Sequence, residues 1–169
     1  MTLPTSRDAT FTASSPVLST VLNNVQDQII GMKHPTRPLN FGAAAWQAKS
    51  GGGGALGAGQ WSFSSTTELV CDLSGSIPEG DRLITVTWSY NRGGAGNVRL
   101  RLKERDLTTP GAAEASVVAE TVVASGTGLT TNPITYNYTF KAGFAVWLEV
   151  QCDNAANVFL GAHLTHDRL

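Results

Sequence analysis

Apolar side chains recur at helical spacing through residues 17–30, and from about residue 39 to the C-terminus the spacing is two. This change of period predicts one short amphipathic helix followed by a long series of strands. Ser15 is suited to accept from the first free backbone N–H groups of the helix, and Pro16 fits its first position. Leu18, Leu22, Val25 and Ile29 alternate spacings of four and three, which makes a heptad-like seam widened by Val21 and Ile30. Asn23, Asn24, Gln26, Asp27 and Gln28 take the polar side, and Gly31 ends the helix. The seam spans under two heptads, too short for a stable isolated coiled coil. It has two fates, docking on its own β-domain or packing against copies of itself.

Residues 32–38, with Lys33, His34, Pro35, Arg37 and Pro38, read as a linker. Leu39–Ala48 then reads as a strand with Phe41 and Trp46, and the Gly/Ala tract Gly51–Gly59 as a flexible loop. Trp61 with Phe63, and Leu69, Cys71 and Leu73, continue the alternation up to a turn at Pro78-Glu79-Gly80. Residues 82–90 alternate most clearly: Ile84, Val86, Trp88 and Tyr90 on one side, Thr85, Thr87 and Ser89 on the other. After the glycine-rich loop Asn91–Asn97, Val98, Leu100 and Leu102 face inward and Arg99, Arg101 and Lys103 outward. A Val-rich segment at 115–124 has weaker register. Three further inward rows close the chain: Ile134, Tyr136, Tyr138 and Phe140; Val146, Leu148, Val150 and Cys152; Val158, Leu160, Ala162 and Leu164. The expected fold is mainly β, an antiparallel jelly-roll-like β-sandwich of eight or nine strands after one short helix. The expected organisation is an N-terminal arm and helix over 1–31, a linker over 32–38 and a β-sandwich over 39–169.

With a net charge of -1 and only 15% charged residues, the surface is polar through Thr, Ser, Asn and Gly. That excludes a strong electrostatic pull on nucleic acid or acidic membranes. No apolar run approaches the roughly 18 residues a spanning helix needs. Met1-Thr2-Leu3-Pro4 lacks the basic and apolar regions of a signal peptide, so assembly in a cytoplasm is expected. Cys71 and Cys152 fall at inward positions, where they are buried free thiols or a disulfide between neighbouring strands.

Catalytic chemistry is sparse. Gly51–Gly54 lacks the Gly-Lys-Ser/Thr of a phosphate loop and has no helix after it. His163 and His166 are three apart on a strand, so they point to opposite sides and read as surface histidines that share no metal. No nucleophile elbow occurs, and the carboxylates sit mostly at turns or strand ends. Asn137-Tyr138-Thr139 matches a glycosylation acceptor, which without a secretion signal is chance. The residues therefore point to a non-enzyme with no cofactor and no metal. Two features invite an interface reading. Arg99, Arg101 and Lys103 form a basic row, either a face paired with Glu149 or another acid, or an anchoring stripe. Trp147 and Phe159 interrupt the polar side of the last two strands, as a subunit contact, a seat for a covering layer or a sugar-stacking surface.

The segment Leu3-Pro4-Thr5-Ser6-Arg7-Asp8-Ala9-Thr10-Phe11, with the helix ending Gln26-Asp27-Gln28-Ile29-Ile30-Gly31, resembles the attachment segment of phage and phage-like structural proteins. Pro78–Ile84 leading into Val98–Leu102, and the closing Val158–Leu164, are similar to β-sandwich head domains of phage fibres and capsid decoration proteins. The resemblance implies a virion component, often a homotrimer, assembled in a host cytoplasm. Leu18, Leu22, Val25 and Ile29 would then anchor or oligomerise it on a capsid or tail protein. The alternative is a carbohydrate-binding or adhesion module. Trp46, Trp61 or Trp147 would stack on a surface glycan, and loop Asn and Asp residues would supply polar contacts.

Overall fold

A computed structural model describes residues 22–29, 36–49, 54–63, 67–94, 96–109, 116–124 and 128–168. Residues 22–29 are helical, with Val25 and Ile29 exposed and Leu22 half-buried. Leu18, the capping pair Ser15-Pro16 and Gly31 lie outside the described residues.

Two antiparallel sheets pack face to face. The first runs β3 (Gly54–Gly57), β4 (Gln60–Phe63), β11 (Val158–Arg168), β6 (Asp81–Arg92), β9 (Gly128–Thr139). In the same sheet β1 (Arg37–Gly42) pairs with β11 over Gly161–His166, beside the place where β4 meets Val158 and Phe159. The second runs β2 (Gln47–Ala48), β5 (Thr67–Asp72), β10 (Phe144–Cys152), β7 (Val98–Asp106), β8 (Ser116–Val123). Mainly β, antiparallel and jelly-roll-like with one short helix, the fold is the one the alternation predicts. The strand count is higher than eight or nine because of two short pieces.

Both arise where the sequence reads as one element. The expected strand Leu39–Ala48 is broken by a 3-10 turn, Ala43–Ala45, which carries the chain from one sheet to the other. Trp46 seals this crossing from inside. Its indole N–H donates to the Phe41 carbonyl (3.3 Å), and the Trp61 indole donates to the Ala43 carbonyl (2.8 Å). The expected flexible loop Gly51–Gly59 instead enters β3. It ends in a two-residue hairpin, Ala58-Gly59, with φ values of 49° and 75°, the pair of positive angles a tight hairpin of right-handed twist requires. Residues 50–53 lie outside the described residues. β1 also takes in Arg37 and Pro38, which the sequence places in the linker.

The inner layer holds Leu69, Cys71, Leu100, Leu102, Val146, Leu148, Val150 and Cys152 from the second sheet against Leu83, Val86, Trp88, Tyr90, Phe159 and Leu164 from the first. Two irregularities shift the alternation. Between Phe159 and Gly161 the pairing of β11 with β6 slips by one residue, so Phe159 turns into the core and Leu160 is only half-buried. A second slip near Ile84 puts Leu83 inside in its place. Cys71 and Cys152 are buried free thiols.

Candidate functional site

The outward side of the second sheet gathers most of the chemistry that the core does not use. Register fixes its layout: Trp147 on β10 lies opposite Lys103 of β7 on one side and Asp72 of β5 on the other. Two residues along, Glu149 lies opposite Arg101 and Val70. Period two brings Trp147 and Glu149 to the same side, and cross-strand neighbours on one side interact directly.

Around Trp147, which is half-buried, a groove of about 350 Å³ opens against Lys49, Val70 and Asp72. One wall is the indole and another the Val70 side chain. Asp72 and Lys49 complete the lining, whose exposed surface is almost wholly apolar. Asp72 Oδ1 accepts the Ser74 backbone N–H at 2.9 Å, which fixes the carboxylate at the strand end. Ser74 in turn is tied to β10, donating to the Val146 carbonyl (3.3 Å) and accepting its N–H (2.8 Å).

Beside the groove lies a web of ion pairs centred on Glu149, whose side chain is 1% exposed although it is on the outward side. Arg101 Nη1 donates to Glu149 Oε1 at 2.7 Å, Lys103 Nζ donates to Oε2 at 2.9 Å, and Lys49 Nζ lies 3.6 Å from Oε2. Burial alone would raise the Glu149 pKa. The hydrogen bonds from Arg101 and Lys103 and the charges of Lys103 and Lys49 outweigh it and hold the carboxyl below its ordinary range. Lys49 also pairs with Glu68 at 2.8 Å, and Arg101 and Arg99 both pair with Glu120. The basic row Arg99, Arg101, Lys103 is thus a paired face, with Glu149 as the partner the sequence names.

The remaining candidates separate. Phe159, expected outward, is 0% exposed and packs edge to face on Trp46, so it belongs to no surface. Trp46 is buried and Trp61 is half-buried with its indole N–H bonded, which leaves Trp147 as the indole on an open groove. His166, expected at the surface, is buried beside Asp81 with Nδ1 and Oδ2 3.0 Å apart, while His163 is exposed and contacts Asn40 at 2.7 Å. Among the described residues no group of three or more His, Cys, Asp and Glu could hold a metal ion, and no helix is long and apolar enough to cross a membrane. The buried Glu149 at the centre of the web is what sequence reasoning underrated. Its signal was a lone acid between Trp147 and Gln151, opposite a row of three cations.

No protein-family model and no curated protein matches the chain. Solved structures do. One is the low-affinity xylan-binding module CBM86 from the gut symbiont Roseburia intestinalis, at 16% identity and a TM-score of 0.52, covering 78% of this chain and 96% of that one. A second is the xylan-binding domain CBM22, at 10% identity and a TM-score of 0.50, covering 72% and 85%. A third is the CBM22-1–GH10 portion of a Clostridium thermocellum endo-1,4-beta-D-xylanase complexed with xylohexaose. It has 14% identity and a TM-score of 0.51, covering 80% of this chain and 28% of that one. The fold is similar to that of carbohydrate-binding modules. This corrects the expectation of a phage or phage-like structural protein, with its capsid decoration or fibre role and its place in a virion. The structural neighbours are modules of carbohydrate-active proteins, not virion components. A homotrimer and a capsid or tail partner gain no support from them. The resemblance that suggested a virion rested on an N-terminal arm and helix and on short turn and strand segments, and alternating strand segments of that kind are common to sandwich folds.

Proposed function

We propose that this protein is a carbohydrate-binding module that works by binding energy alone, holding a polysaccharide against the outward side of the β2-β5-β10-β7-β8 sheet. The observation that carries the reading is Trp147, an indole left on an open groove beside a fixed carboxylate, Asp72. A pyranose ring has an apolar C–H face and an equator of hydroxyls. An indole offers a flat apolar surface of matching size, and a carboxylate accepts from the hydroxyls at its edge. The xylan-binding neighbours make xylan the first polymer to test.

The test is affinity electrophoresis through gels containing soluble xylan, followed by calorimetric titration. The expected result is retardation of the wild-type protein and a loss of about tenfold or more in affinity for Trp147→Ala, the scale of truncating an aromatic hot spot. Binding unchanged by Trp147→Ala would move the site elsewhere. Absence of binding to xylan and to other soluble glycans would overturn the reading.

A further inference from the structure

The cations bordering the Trp147 groove are each already paired with a carboxylate. Lys49 lines the groove and Lys103 is the cross-strand neighbour of Trp147, yet both ammonium groups are directed at one buried atom, Glu149 Oε2, at 3.6 and 2.9 Å. Arg101 is held on the other carboxylate oxygen, and Lys49 is held again by Glu68. Asp72 is exposed and borders the groove, with Oδ1 already taken by the Ser74 backbone N–H. An acidic sugar would come close to this negative charge with each neighbouring cation already paired to a carboxylate, whereas an uncharged one would bring no charge to be met.

We propose that Glu149 is a specificity-determining residue: by drawing Lys49, Lys103 and Arg101 onto itself, it makes the groove select uncharged glycans over uronate-bearing ones. The inference rests on the carbohydrate-binding reading above. Glu149 touches no ligand in this account and acts through the cations it positions. A buried acid in a cluster of bases stands in for the ligand's charge, so the bordering cations are paired before any polymer arrives. A uronate polymer would have to displace Glu149 from partners it meets at 2.7 and 2.9 Å, and the freed carboxylate would stay buried.

The experiment compares soluble neutral xylan with polygalacturonate, by titration calorimetry from about 20 mM to about 500 mM salt. The wild-type protein is expected to bind xylan with little salt dependence and polygalacturonate at least about tenfold more weakly. Glu149→Gln keeps the side-chain shape, frees Lys103 and loosens Arg101 and Lys49, which keep Glu120 and Glu68. It should raise polygalacturonate affinity by about tenfold, with the gain lost at high salt, and leave xylan affinity within about twofold. Glu68→Gln loosens Lys49 and, through a longer contact of 3.8 Å, Arg101, and should shift the same ratio in the same direction by a smaller factor, so the idea stays testable if Glu149→Gln does not fold. Equal wild-type affinity for both polymers overturns the inference while the binding reading stands. So does an unchanged ratio in Glu149→Gln, or in Glu68→Gln should Glu149→Gln not fold. Failure of xylan and of every other glycan to bind overturns the reading, and the inference falls with it.

Discussion

Phe159 and Trp46 meet edge to face in the core, ring centroids 4.6 Å apart and planes at 75°. Phe159 comes from β11 and Trp46 from the residue where the chain passes between sheets, and both also lie against Trp88. The contact therefore ties the crossing to the centre of the sandwich. Phe159→Ala would leave a void bounded by two indoles that cannot collapse into it. The expected cost is about 3–5 kcal/mol, read as a shift of the urea midpoint at unchanged slope. A cost under about 1 kcal/mol would mean that Phe159 is not a core residue.

Gly161 supports a second prediction. Its φ is 138°, and a Cβ there would be driven into the Phe41 carbonyl oxygen of the adjoining β1. Backbone cannot yield as a flexible side chain can. Gly161→Ala should destabilise by about 1–3 kcal/mol or more and should first loosen β1. Hydrogen exchange would show it as faster amide exchange over Leu39–Gly42 than over β7. Uniform protection in the variant would remove Gly161 from this role.

These two residues also show where the sequence was legible. Alternation found the main strands because a sheet buried on one side imposes a period of two at each residue. It placed Val98, Leu100, Leu102, Val146, Leu148, Val150 and Cys152 on the inside, where they are. It misplaced Phe159 and Ile84 because a bulge inserts one residue and inverts every assignment beyond it. Gly161 was the one local mark of the first slip. A glycine on a strand has several other uses, so it cannot announce a bulge by itself. The break at Ala43–Ala45 is marked in the sequence only by Gly42 at its start. It is imposed by the burial of Trp46, a long-range effect. The candidate groove was half legible. Trp147 stood out as an aromatic on a polar side. The residues that border it, Lys49, Val70 and Asp72, come from segments 75 or more positions away and needed the strand order to bring them there.

The two thiols give a direct test of the core. Burial, reinforced by the nearby Asp72 and Asp153 carboxylates, pushes Cys71 up to about 11 and Cys152 up to about 12. Neither thiolate is populated near neutral pH, and neither sulfur is open to a reagent. Ellman's reagent should therefore label neither cysteine in the native protein and both after denaturation. Rapid native labelling of either one would show that its strand opens locally or is packed differently.

Glu149 links stability to acid. Its folded-state pKa lies below its ordinary value of 4.5, because its hydrogen bonds to Arg101 and Lys103 outweigh the cost of burial. A carboxyl with a depressed folded pKa binds its proton more readily when unfolded. Its contribution is therefore complete above about pH 4.5 and is lost as the pH falls through the folded value. Melting temperature should be flat near neutral pH and decline steeply below about pH 4.5. Glu149→Gln should melt lower than wild type near neutral pH, since Lys103 and Arg101 keep their half-buried positions while Lys103 loses Glu149 and Arg101 retains only Glu120 and Glu68. It should also show a shallower decline in acid, because the group that titrates is gone. The two curves would approach one another as the pH drops. Parallel curves would mean that Glu149 does not titrate differently in the folded and unfolded chains, and that the ion-pair web is not what anchors this side of the sheet.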